Sequence, residues 1–106
     1  MTTDEQQIEN SIQAKQLNAP RITPEHIDSM IAREEYYVFP GTTVTVCMLT
    51  LENGFNVVGH SACASPENFD VAIGKSIARG EARDKIWELE GYLLREQLHQ
   101  NKRPAA

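Results

Sequence analysis

A chain of 106 residues, 41% hydrophobic and 24% charged with a net charge of −5, is long enough to bury one core and too short for a second. The acidic balance argues against broad binding to a nucleic-acid backbone, which needs a clustered positive field, and no apolar run approaches the roughly 20 residues of a bilayer span. The polar start, Met1 to Asn10, lacks the basic region and apolar core of a secretory signal, so the expected location is the cytoplasm.

Residues Asp4 to Leu17 are rich in Gln, Glu and Asn, and their clear apolar pair is Ile8 and Ile12, four apart. A helix here has a narrow apolar stripe and is expected to form only when docked, so residues 1–19 read as a flexible or weakly helical segment ahead of a single domain over 20–98. Asn18-Ala19-Pro20-Arg21 reads as a linker, because the residue before a proline is pushed out of the α region. Thr23-Pro24-Glu25 then supplies an N-cap, a proline at the first helical position and an early acid, with Ile27, Met30 and Ile31 on one face, which predicts a short helix ending near Glu34. Tyr36-Tyr37-Val38-Phe39 is extended and aromatic and predicts a strand, which Pro40-Gly41 turns toward the next element.

The firmest expectation is a β-hairpin, Thr43 to Leu51 and Phe55 to Cys63 around Asn53-Gly54, two residues that take positive φ cheaply. A two-residue loop places Leu51 opposite Asn56, Leu49 opposite Val58 and Cys47 opposite His60. Both hairpin faces are then substantially apolar and require cover, from the chain's own helices and from a second copy. Cys47 and Cys63 fall on opposite arms and opposite faces, so free thiols are expected instead of a disulfide, and neither a CxxC pair nor a zinc-like spacing is present. No metal and no cofactor is expected.

Ser65-Pro66-Glu67-Asn68-Phe69-Asp70 repeats the helix-opening grammar of Thr23-Pro24-Glu25 and predicts a helix over 66–79, with Phe69, Ile73 and Ile77 packing on the hairpin. Gly80 either ends that helix or is tolerated inside it. The helical pattern continues over 82–98 through Ala82, Ile86, Leu89 and Leu93, with a second stripe at Trp87, Leu94 and Leu98. A helix apolar over so much of its circumference is sandwiched in the monomer or shared with a partner subunit, and Trp87, Tyr92 and Leu94 are the expected interface. Residues 99–106, containing Pro104, are expected to fray.

The candidate chemistry is sparse. His60 beside Cys47 is the one Cys/His pairing of the predicted register, but no orienting acid or oxyanion donor accompanies it, so no catalytic residue and no enzyme is expected. Lys75, Arg79 and Arg83, spaced four apart, form a basic ridge on a continuous helix; this is either an anion or phosphate site or a solvated face with local ion pairs. The backbone N–H groups of a helix starting at Ser65 are a second place for an anion.

The run from Asn53 through Gly59-His60-Ser61-Ala62-Cys63-Ala64-Ser65-Pro66-Glu67-Asn68-Phe69-Asp70, continuing through Ile73-Gly74-Lys75 and Ile86-Trp87-Glu88-Leu89-Glu90-Gly91-Tyr92, resembles a family of small early or accessory proteins of short-tailed bacteriophages and prophages. The resemblance covers roughly residues 20 to 98. It implies a phage product acting inside a bacterial cell and transfers no catalytic residue. Glu88 follows Trp87 where many relatives are expected to carry proline, which implies a less kinked final helix here.

These readings converge on an α+β domain, an antiparallel hairpin with a third strand packed with two or three α-helices, assembled as a two-fold dimer. The function they favour is a non-enzymatic interaction protein that modulates a host protein or defence pathway. The alternative is a small-molecule protein that binds or sequesters a nucleotide signal through Lys75, Arg79, Arg83 or the turn at Ser65.

Overall fold

The computed structural model describes residues 2–17 and 19–102. The linker residue Asn18 and the part of the expected frayed tail from residue 103 lie outside them. The elements in order are α1 (Thr2–Ala14), α2 (Pro24–Ser29), β1 (Ile31–Val38), β2 (Val44–Leu51), β3 (Asn56–Ala62), a single 3-10 turn at Pro66–Asn68 and α3 (Val71–Lys102). The strands form one antiparallel sheet in the order β1-β2-β3, which makes this an α+β fold with the expected hairpin and third strand.

Thr23 caps α2 as its sequence predicts, its hydroxyl accepting from the His26 N–H at 3.1 Å. The helix nonetheless stops at Ser29, and residues 31–34, expected to be helical, belong to β1. The Met30 carbonyl accepts from Glu52 N–H at 2.9 Å and Ile31 pairs with Leu51, so the sheet takes up backbone groups that a longer helix would have used. The register shifts between Ile31 and Arg33, a bulge that re-aims the strand.

The hairpin closes through three residues instead of two. Gly54 N–H donates to the Leu51 carbonyl at 2.9 Å and Leu51 N–H to the Phe55 carbonyl at 2.8 Å. Gly54 has φ +91°, whereas Asn53 is not in the left-handed region; its side chain instead accepts from Phe55 N–H at 3.0 Å. Asn-Gly fits this turn with a glycine bulge as well as the two-residue turn, and the extra residue slips the pairing by one. Cys47 therefore faces Gly59, Leu49 faces Val57 and His60 faces Val46.

The slip places Cys47, Leu49, Leu51, Val57 and Gly59 on the buried side of the sheet, beneath α3. Ile27 from α2 and Ala78, Ala82 and Ile86 from α3 complete the core. The two helices expected over 66–79 and 82–98 are one continuous α3 that passes through Gly80. An interior glycine costs only about 1 kcal/mol against alanine, less than the burial of Ala78, Ala82 and Ile86 on either side of it contributes. The helix also starts five residues after Pro66, because Phe69 is extended with ψ 127° and Asp70 takes the capping role, its Oδ1 accepting from Ile73 N–H at 3.0 Å.

The buried stripe of α3 is Gly74, Ala78, Ala82 and Ile86, not the Phe69-Ile73-Ile77 stripe expected to pack on the hairpin. Ile73 and Ile77 are 60% and 57% exposed. Small residues win the contact because helix and sheet approach closely: a Cβ on Gly59 would collide with the Ala78 carbonyl and the Ala82 nitrogen, and one on Gly74 would sit 2.9 Å from Thr45 Oγ1. At about 1.5 Å per residue the 32 residues of α3 run far past strands of eight residues or fewer, and Glu90 is its last buried residue.

Candidate functional site

The continuous α3 brings Lys75, Arg79 and Arg83 onto one side of one helix, and each cation meets a partner from another element. Lys75 Nζ lies 5.4 Å from the centroid of the Tyr36 ring. Arg79 Nε donates to Glu34 Oε2 at 3.1 Å while the Tyr36 hydroxyl donates to Glu34 Oε1 at 2.6 Å. The tyrosine hydrogen bond, then the arginine, holds the Glu34 carboxyl below its ordinary range, whereas burial pushes the Tyr36 phenol and the neighbouring Cys47 thiol above theirs. Phenol and thiol are thus both neutral near pH 7.

Arg83 is the centre of a larger polar arrangement. Its Nε donates to Asp28 Oδ1 at 2.8 Å, its Nη2 to the Pro24 carbonyl at 3.4 Å and its Nη1 to Glu5 Oε2 at 2.7 Å. The indole N–H of Trp87, one turn along, donates to the same Glu5 oxygen at 3.2 Å. One turn further along α1, Glu9 accepts from both terminal nitrogens of Arg21 at 2.8 and 2.7 Å. That fork, with help from Gln13, brings the Glu9 carboxyl down to about 2. Beneath these contacts lies a cavity of about 490 Å³ lined by Ile8, Ile12, Ile22, Pro24 and Trp87 among others.

The second candidate surface is the side of the sheet that α3 leaves open. Tyr37, Val46 and His60 share one rung and Glu35, Met48 and Val58 the next, and Tyr37 and Phe39 meet edge to face at 4.8 Å. Tyr37, Phe39 and Val58 are exposed. The two edges of the sheet differ. On β3, Lys85 Nζ donates to the Val58 carbonyl at 2.6 Å and Glu81 accepts from His60 N–H at 2.7 Å, so α3 closes that edge to strand addition. No side chain among the described residues bonds the backbone of β1.

The sequence-predicted residues thus fall in three places. Arg83 and Trp87 come together with Glu5; Lys75 and Arg79 lie two turns and one turn away, over Tyr36 and Glu34 respectively; and Ser65 sits before a three-residue 3-10 turn with no side-chain cap, ahead of the start of α3. Tyr92 is 72% exposed beside Leu89 and Leu93, and Leu94 is half-buried. His60 and Cys47 are on opposite faces, and His60 Nδ1 instead meets Glu81 at 3.1 Å. Both cysteines are free, Cys47 buried and Cys63 half-buried. Sequence reasoning missed Glu5, Glu9 and Arg21; the four-residue spacing of the two acids was their available signal.

No helix among the described residues is long and apolar enough to cross a membrane. A family model described as the phage protein (N4 Gp49/phage Sf6 gene 66) family matches residues 22–98. No curated protein and no solved structure matches the chain.

Proposed function

Because the chain belongs to the phage protein (N4 Gp49/phage Sf6 gene 66) family, we propose that it is a non-enzymatic interaction protein that binds and modulates a protein of the bacterial host cytoplasm. The observation that carries this reading is the open face of the sheet, where exposed Tyr37, Phe39 and Val58 and half-buried Val46 and Met48 form an apolar strip that the described helices leave uncovered. Contiguous exposed aromatic and aliphatic surface is the ordinary mark of a docking site, and aromatic anchors dominate such contacts. The test compares wild type with Tyr37→Asp and Val58→Asp as bait in host lysate. A host protein enriched by wild type and lost with both variants bears the reading out; a binding profile unchanged by both variants refutes it.

A two-fold dimer is part of the proposal, with Tyr92 and its neighbours Leu89 and Leu93, which project beyond the sheet, as the apolar contact. The nucleotide-binding alternative draws support from the alignment of Lys75, Arg79 and Arg83 along one helix. It ranks second because the Glu34, Glu5 and Asp28 carboxylates already engage the two arginines, and phosphates would have to displace them. Titration with cyclic and linear nucleotides separates the readings: a thermal midpoint unmoved by any nucleotide well above a micromolar affinity removes the second.

A further inference from the structure

We propose that the face formed by Arg21, Ile22, Pro24, Arg83 and Trp87 is a receptor for an acidic amphipathic helix of a partner protein, and that α1 is its resident occupant, displaced when the partner binds. Charge complementarity defines the occupant. Glu5 and Glu9, one turn apart on α1, dock on Arg83 with Trp87 and on Arg21 respectively. Asp28 and the Pro24 carbonyl hold the Arg83 guanidinium so that Nη1 is left for an incoming carboxylate. The Arg83 side chain is only 12% exposed, so this contact is screened less than a surface ion pair.

α1 is held by charge more than by packing. Ile8 is 62% exposed, no α1 residue enters the core cluster, and the cavity of about 490 Å³ persists between its isoleucines and Trp87. A helix with the same acid spacing and larger apolar side chains at the positions of Ile8 and Ile12 fills that volume and gains burial that α1 lacks. The family match covers residues 22–98, so the walls at Ile22, Pro24, Arg83 and Trp87 lie inside it, whereas Arg21 and α1 lie outside it. This surface shares no residue with the open sheet face, so the two proposals stand or fall separately.

The probe is a fluorescein-labelled synthetic helix with the sequence of residues 2–17 carrying Ile8→Phe and Ile12→Phe, titrated by anisotropy against the full chain. Releasing α1 with Glu5→Gln plus Glu9→Gln in the protein is expected to tighten peptide binding roughly tenfold or more over wild type, because the fraction of open sites rises. In that released background Arg21→Ala and Trp87→Phe, the latter removing the indole N–H together with part of the ring that walls the cavity, are each expected to weaken binding roughly tenfold. A peptide with both acids changed to Gln is expected not to bind. The proposal is overturned if the released protein binds no peptide below about 1 mM, or if Arg21→Ala and Trp87→Phe leave binding unchanged. It is also overturned if inorganic phosphate competes as well as unlabelled peptide, which would make the face a general anion site.

Discussion

Gly59 sets how closely α3 can lie on the sheet. Any side chain there meets helix backbone at Ala78 and Ala82, which cannot rotate away, so Gly59→Ala is expected to destabilise by about 1–3 kcal/mol, toward the upper figure. Urea denaturation with an unchanged slope measures this; a loss within a few tenths of a kcal/mol would contradict the close approach. Glu9 gives a pH dependence at the same scale. Its folded carboxyl lies near 2 against an ordinary 4.5, so the ionised form is favoured on docking. That stabilisation is present in full above about pH 4.5 and is lost as pH falls toward 2. Trp87 is the one tryptophan of the chain and touches α1 through Glu5, so its emission is expected to hold steady at neutral pH and shift across that acid window. Glu9→Gln should flatten the shift.

At the scale of elements, the start of α3 separates two sequence signals that look alike. Ser65-Pro66-Glu67 and Thr23-Pro24-Glu25 have the same capping grammar, yet only Thr23 caps an α-helix, while Asp70 caps α3. Asp70→Ala is therefore expected to cost about 1 kcal/mol and Ser65→Ala close to nothing, read from thermal or denaturant midpoints; the reverse order would restore the earlier start. The hairpin shows what a local signal carries. Asn53-Gly54 identified the turn and both strands, but it is compatible with two loop lengths, and the one-residue difference decides whether Cys47 faces His60 or Gly59. That choice rests on which register buries Leu49, Leu51 and Val57 together under α3, a property of no single strand.

For the whole molecule, extents of 59 × 35 × 20 Å show how far one helix can outrun a small sheet. The overhang carries Tyr92 and Leu93 into solvent, and Leu89 at its base. If these residues join two copies, light scattering at roughly tens of micromolar, about ten times a micromolar affinity, reports a dimer that Tyr92→Asp reduces to monomer. A wild-type monomer at that concentration would rule the contact out. Trp87, grouped with Tyr92 from sequence, is half-buried against the core and α1, so its substitution tests α1 docking as well.

By itself the sequence determined the class of the fold, the hairpin and the place of its turn but not the loop length, the cap at Thr23, and the presence of a basic ridge, because each depends on residues within a few positions of one another. Tertiary structure decided the register, the length of β1, the continuity of α3 and the stripe it buries. Hydrophobic periodicity ranks Ile73 and Ile77 above Gly74 and Ala78, but the energy of a helix-on-sheet contact depends on how close two backbones come, which small residues on both sides control. The carboxylates that meet Arg79 and Arg83 lie 45 to 78 residues away in the chain. Such pairings exist only once the sheet and all three α-helices have been placed.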